Sequence, residues 1–213
     1  MGRMTEGQAR ALAQLWPLYG CEYQPEPVDL RALFGRDAPR LLEIGFGTGD
    51  ALAAYASAHP EMDCLGIEVH RPGVGHLLRV LQARAVGNVR VICHDAVEVL
   101  SNQIPPRTFA AIQIFFPDPW PKKRHHKRRL IQPAFVESLA TVLAPNGILR
   151  LATDWQDYAL QMRNVIAANP AFDTLATHDG YVDRPTDRPL TRFERRGQRL
   201  GHCVWDLAFR KVE

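Results

Sequence analysis

Apolar and polar positions along this chain fall into alternating blocks. Leu12, Leu15 and Trp16 recur at i, i+3 and i+4 behind Thr5-Glu6-Gly7-Gln8, which has capping-box spacing. Together they predict a short amphipathic helix ended by Pro17 and Gly20. Residues 21–39 hold Pro25, Pro27 and Pro39 and read as a connection laid over the surface. From Arg40 strand and helix patterns take turns. Strands are predicted over 41–44, 63–68, 89–93, 109–116 and 148–153, and helices over 48–59, 72–85, 128–143 and 155–168, with a short helix after Asp95. Apolar strands alternating with helices imply a mostly parallel sheet with helices on both faces, an α/β fold. After Pro170 the rhythm changes to a strand over 172–177, a loop over 180–189, a polar helix over 191–200 and a last strand over 202–210. Two strands so near the end predict an antiparallel hairpin closing one sheet edge. No repeat or linker interrupts the pattern. The chain therefore reads as one domain, 1–213, in which an N-terminal helix and connection (1–39) precede a core (40–213).

Composition adds little until charge is located. The chain is 46% hydrophobic and 23% charged over 213 residues, enough for a full core. Its net charge is +3, yet the run Lys122-Lys123-Arg124-His125-His126-Lys127-Arg128-Arg129 alone carries six Lys or Arg, which leaves the remainder net negative. The basicity is thus local and fits a patch that meets a polyanion. The other reading is a solvated first helical turn, although the helix macrodipole disfavours cations there. Cys21, Cys64, Cys93 and Cys203 form no Cys-x-x-Cys pair and the eight His show no metal-ligand spacing, so no metal is expected. Without a signal segment or a run of the ~20 apolar residues that span a bilayer, the expectation is a cytoplasmic protein with no membrane contact.

Two stretches carry the chemistry. Leu41-Leu42-Glu43-Ile44-Gly45-Phe46-Gly47-Thr48-Gly49-Asp50 joins the first core strand to a helix through a glycine turn, where the backbone can approach a ligand beside unpaired N–H groups. Gly45, Gly47 and Gly49 give Gly-x-Gly-x-Gly, which departs from the dinucleotide fingerprint and implies no pyrophosphate. Glu43 adds a carboxylate suited to an ammonium group. Glu68 ends the second strand, where a carboxylate can accept from both ribose hydroxyls. Asp95 ends the third strand, placed equally well for an adenine amino group or for a helix N-cap. The second stretch is Phe115-Phe116-Pro117-Asp118-Pro119-Trp120-Pro121, which runs straight into the basic residues.

Glu-x-Gly-x-Gly-x-Gly with Glu68 and Asp95 resembles the Rossmann-like class I S-adenosylmethionine-dependent methyltransferases. The stretch from Phe116 to Arg129 is similar to the signature of the bacterial tRNA (guanine-N7-)-methyltransferases, as are Gly66-Ile67-Glu68-Val69-His70-Arg71-Pro72-Gly73, Ala152-Thr153-Asp154-Trp155 and Thr191-Arg192-Phe193-Glu194-Arg195-Arg196-Gly197. The resemblance implies methyl transfer from S-adenosylmethionine to N7 of a guanosine in the variable loop of tRNA. It implies cofactor contacts from Glu43, Glu68, Asp95 and Asp118, with Asp118 catalytic. It further implies RNA contacts from Arg124, His125, His126, Lys127, Arg128 and Arg129, and substrate contacts from Lys122, Asp154, Thr191, Arg192, Phe193 and Glu194. Asp154 is also placed to cap a helix, and Thr191-x-x-Glu194 is itself a capping box. Family members often carry a basic arm before the segment matching Gly2 to Thr5, where this chain starts; that part of the RNA surface is expected to be missing or supplied otherwise.

Three rival readings stand beside this one. An amino-methyltransferase uses Asp-Pro-Pro-aromatic at the same place, whereas the order here is Pro-Asp-Pro-Trp. An RNA-binding protein without activity has no use for Glu43, Gly45, Gly47 and Glu68. A small-molecule methyltransferase leaves the basic run idle.

Overall fold

The computed structural model describes residues 4–186, 188, 190, 194 and 203–212. The chain divides into two compact units, Met1–Pro105 and Pro106–Glu213.

The first unit opens with helix α1 (Glu6–Tyr19). The Thr5 hydroxyl accepts the Gln8 N–H at 3.3 Å, and the Thr5 N–H donates to Gln8 Oε1 at 2.8 Å, which completes the capping box. Pro17 does not end this helix. In the last turn its missing N–H removes one bond only, and the Gly20 N–H still reaches Trp16 O at 2.6 Å. The connection holds a second helix, α2 (Leu30–Phe34), capped by the Asp29 carboxylate and closed by Gly35 at φ 72°. Strand β1 (Arg40–Ile44), helix α3 (Asp50–Ala58), strand β2 (Asp63–Ile67), helix α4 (Arg71–Ala83), strand β3 (Val89–Ile92) and helix α5 (Ala96–Asn102) follow. β1, β2 and β3 run parallel, with Ile44 opposite Ile67 and Ile67 opposite Ile92. Every residue of β2 is buried, as near-continuous apolar strands require. α1 packs against α4, and the chain leaving α1 lies along β3: Gly20 bridges to Val91 and the Cys21 N–H donates to Val91 O at 2.8 Å.

The second unit contains strand β4 (Phe109–Phe115), a 3-10 helix (Lys123–Arg128), helix α6 (Pro133–Val142), strand β5 (Leu143–Thr153), helix α7 (Gln156–Ala167), strand β6 (Phe172–Thr174) and strand β7 (Trp205–Lys211). β4 and β5 are parallel; β7 runs antiparallel to β5 and β6 pairs antiparallel with β7, so the terminal pair closes an edge as expected. Three boundaries differ from the sequence pattern. The basic run forms its own 3-10 helix and α6 starts later, because Pro133 at the first helical position sets the start. β5 begins at Leu143, where Phe109 pairs with Leu143 before a register shift, so Ala144-Pro145-Asn146-Gly147 belongs to the strand despite its turn-like composition. β6 stops at Thr174. The polar helix expected over 191–200 lies outside the described residues, apart from Glu194. Among the described residues no helix is long and apolar enough to cross a membrane.

Candidate functional site

In the first unit the glycine turn after β1 is built as the spacing demands. Gly45, Gly47 and Gly49 adopt φ of 71°, 57° and 74°, left-handed values that side chains disfavour. A Cβ on Gly45 or Gly47 would meet nothing within 4 Å, so this side of the turn is open. The turn is tied down from the other side. Glu68 accepts the Gly47 N–H at 2.8 Å through Oε2 and the His70 N–H at 2.9 Å through Oε1, which joins the turn to the start of α4. Gly73 in α4 makes the close approach: a Cβ there would lie 2.0 Å from Gly47 O.

Glu43 is the other feature of this half. It is 3% exposed, its Oε2 has no hydrogen-bond partner, and burial pushes its carboxyl up to about 8. A buried carboxylate oxygen left unpaired is costly unless a cation or donor arrives. Asp95 caps α5 by accepting the Val97 N–H at 2.7 Å, which fulfils the structural one of its two sequence readings and leaves its second oxygen out of that bond. Val69 and Val97, just past the Glu68 and Asp95 carboxylates, are 57% and 46% exposed.

In the second unit Asp118 is exposed on a loop with unusual backbone. Phe116 and Trp120 have φ of 52° and 44°, left-handed values rare for bulky residues, and they bracket Pro117-Asp118-Pro119. The Phe116 N–H donates to Ala152 O at 2.7 Å, so β5 holds the loop at its start. Trp120 packs against its own chain: the Arg128 guanidinium lies 5.0 Å from its ring centroid and the His125 ring meets it edge-on at 5.9 Å. The basic run sorts by exposure. Lys122, Lys123, Arg124, Lys127 and Arg128 are exposed, His125 and His126 are half-buried, and Arg129 is buried.

Asp154 is half-buried, and the α7 cap position falls on Trp155 instead, whose N–H donates to Thr153 Oγ1 at 3.2 Å. Glu194 is buried against Arg188, which donates to both of its oxygens at 2.8 Å and also pairs with Asp206 at 2.9 Å. The Arg188 guanidinium sits 5.6 Å from the ring centroids of both Phe115 and Phe116. Thr191, Arg192 and Phe193 lie outside the described residues.

Comparison with known proteins identifies the family. Residues 37–207 match a family model described as "Putative methyltransferase". A tRNA (guanine-N(7)-)-methyltransferase of Thiobacillus denitrificans is 60% identical over 99% of this chain and 92% of its own length. The enzyme of that name from Aeromonas hydrophila is 54% identical over 99% and 89%. The chain belongs to the tRNA (guanine-N(7)-)-methyltransferase family. Among solved structures it is similar to the 16S rRNA methyltransferase KamB, with a TM-score of 0.64 at 14% identity over 88% of this chain and 95% of that one. It is also similar to a 16S rRNA (adenine(1408)-N(1))-methyltransferase from Catenulisporales acidiphilia, with a TM-score of 0.58 at 18% identity over 91% and 93%. These likenesses establish the Rossmann-like methyltransferase fold, in agreement with the α/β sheet expected from the strand and helix pattern and with the class implied by the motif resemblance.

For this tRNA (guanine-N(7)-)-methyltransferase relative, sequence reasoning passed over three features. Gly73 was legible as a glycine behind Pro72 at a helix start. Val69 falls inside the Gly66–Gly73 motif, which assigns it no role, and Val97 carries no signal, because a lone valine after a strand reads as core. Arg188 meets Glu194 and Asp206 across 6 and 18 residues, separations that no local spacing rule relates.

Proposed function

We propose that this enzyme transfers a methyl group from S-adenosylmethionine to N7 of a guanosine in the variable loop of tRNA. The observation that carries the reading is Glu43: a buried carboxylate with an unpartnered oxygen, two residues before an open glycine turn. That donor set fits the ammonium of the methionyl moiety at Glu43, the ribose hydroxyls at Glu68 and the adenine edge at Asp95, with Val69 and Val97 offering apolar surface to the ring. Gly45, Gly47 and Gly49 bring the backbone close.

When bound, S-adenosylmethionine supplies an electrophilic methyl group on a sulfonium. Guanine N7 has an in-plane lone pair and no proton, so its attack on that methyl group would need no general base, and the electrons of the broken S–CH3 bond would stay on sulfur. Catalysis then rests on orientation, which is worth up to roughly 7 to 11 kcal/mol when both reactants are held in line. Asp118 is the residue proposed to act on the base. An exposed carboxylate on a conformationally restricted loop accepts from guanine N–H groups and stabilises the positive charge that the ring gains. Lys122, Arg124, His125, His126, Lys127 and Arg128 are proposed to meet phosphates, and Asp154 with Thr191, Arg192 and Phe193 to hold the nucleotide. Glu194 enters this set with its carboxylate already bound by Arg188. N7 lies on a base edge and needs an accessible nucleotide, as in an RNA loop. With a tRNA substrate, the proposed site of action is the cytoplasm.

The test is incubation of the enzyme with labelled S-adenosylmethionine and bulk tRNA that lacks the modification, followed by nucleoside analysis and borohydride–aniline cleavage. The expected result is N7-methylguanosine with chain scission in the variable loop. A methylated exocyclic amine, which does not cleave, or no transfer at all, overturns the assignment.

A further inference from the structure

The basic run ends in a residue that does not behave as the others do. Arg129 is 2% exposed, and its guanidinium is spent on protein partners. Nε donates to Pro119 O at 2.7 Å, Nη1 to Gln161 Oε1 at 2.6 Å and Nη2 to Asp157 Oδ2 at 2.7 Å, with His126 Nε2 3.0 Å from Nη2. The plane covers the Tyr158 ring at 4.9 Å from its centroid. A guanidinium has five N–H donors in a rigid fork, and these contacts engage nearly all of them. Little remains for a phosphate.

The partners show what the burial achieves. Gln161, Asp157 and Tyr158 belong to α7, whereas Pro119 follows Asp118 directly. Arg129 therefore ties the peptide beyond the candidate catalytic carboxylate to a helix. Phe116 is already held by β5 on the near side of Asp118, so the loop is fixed at both ends. Asp157 is 61% exposed, so solvent screens its half of the pair, while the buried Arg129 guanidinium is also held by Pro119 O, Gln161 and His126. Of these contacts, the one to Pro119 O bears directly on the peptide beside Asp118.

We infer that Arg129 is a positioning residue that sets Asp118 through the Pro119 carbonyl, and not a phosphate contact. The inference rests on the methyl-transfer reading above. A lysine keeps the charge but cannot reproduce the fork, which separates the two roles.

The experiment compares Arg129→Lys, Arg129→Gln, Gln161→Ala and Arg128→Gln for kcat, KM, donor binding, and tRNA affinity against salt. Activity is normalised to the number of donor sites titrated, so that misfolded protein does not count. Positioning predicts that both Arg129 variants lose kcat by about 100-fold, the scale of a 1 Å misplacement. Their tRNA affinity and salt slope stay as in the parent enzyme. Gln161→Ala removes one anchor without altering charge and lowers kcat in the same sense. Arg128→Gln reduces the log–log salt slope by roughly 0.7 to 0.9, one phosphate contact. The inference is overturned if Arg129→Gln reduces that slope and Arg129→Lys restores it, or if kcat survives in the Arg129 variants or in Gln161→Ala. Failure of the parent enzyme to form N7-methylguanosine instead defeats the methyl-transfer reading itself.

Discussion

Glu43 makes a pH dependence that can be given a sign. Its carboxyl is raised from 4.5 to about 8 by burial, so between those values the folded protein holds a proton that the unfolded chain has lost. The associated stability is complete below about pH 4.5 and is lost as pH rises through about 8. The slope in that window approaches about 1.4 kcal/mol per pH unit. Urea denaturation without donor should show this decline, and Glu43→Gln should flatten it. Binding of an ammonium group favours the charged carboxylate. Titration calorimetry in buffers of different ionisation enthalpy should therefore detect proton release near pH 7 in the parent enzyme and not in the variant. Asp118 makes a different prediction. It is exposed and outside the core, so Asp118→Ala should abolish methyl transfer while tRNA affinity and thermal midpoint stay close to those of the parent; full activity in that variant would remove its catalytic role. Both carboxylates stand out as candidates in the sequence, Glu43 by the glycines that follow and Asp118 by its flanking prolines, while the catalytic role proposed for Asp118 comes from the family resemblance. The inward turn of Arg129 was not, because seven basic neighbours give it the same local pattern as a solvated cation.

At the scale of elements, the glycine turn and α4 depend on each other. Gly73→Ala would gain up to about 1 kcal/mol of helix propensity, but its methyl would meet a backbone oxygen that has no rotamer to escape through, and overpacking of this kind costs about 1–3 kcal/mol. The clash should win. The expected outcome is a lower thermal midpoint and at least a 10-fold loss of donor affinity, read by calorimetry, because the displaced atom belongs to Gly47. Elements with several apolar positions were readable from the sequence: β1, β2, β3, β4 and α7 lie within a few residues of the pattern. Short or irregular ones were not. α2 has five residues, too few for a helical period, and its signals are only the Asp29 cap and Gly35. The 3-10 helix has no buried residue and so no apolar pattern at all.

For the molecule as a whole, the residues proposed to hold the donor lie in Met1–Pro105, apart from Asp118, and those proposed to meet RNA lie in Pro106–Glu213, a division that the uninterrupted strand–helix rhythm does not announce. The fold class was legible because alternation of apolar strands and helices admits few architectures. The terminal strands were legible because their pattern breaks that alternation. At this scale one modest contact gains importance, the lie of Gly20 and Cys21 along β3. Among the described residues β3 is the outermost strand on its side, and the backbone of an edge strand is a template on which a second chain can grow. The stretch leaving α1 occupies part of that template, so the N-terminal segment is expected to guard against self-association as well as to cover the edge. Deletion of residues 1–21 should leave a protein whose light scattering rises with concentration and time at temperatures where the parent stays clear. If the truncated chain remained monodisperse, the guard would lie elsewhere on that edge.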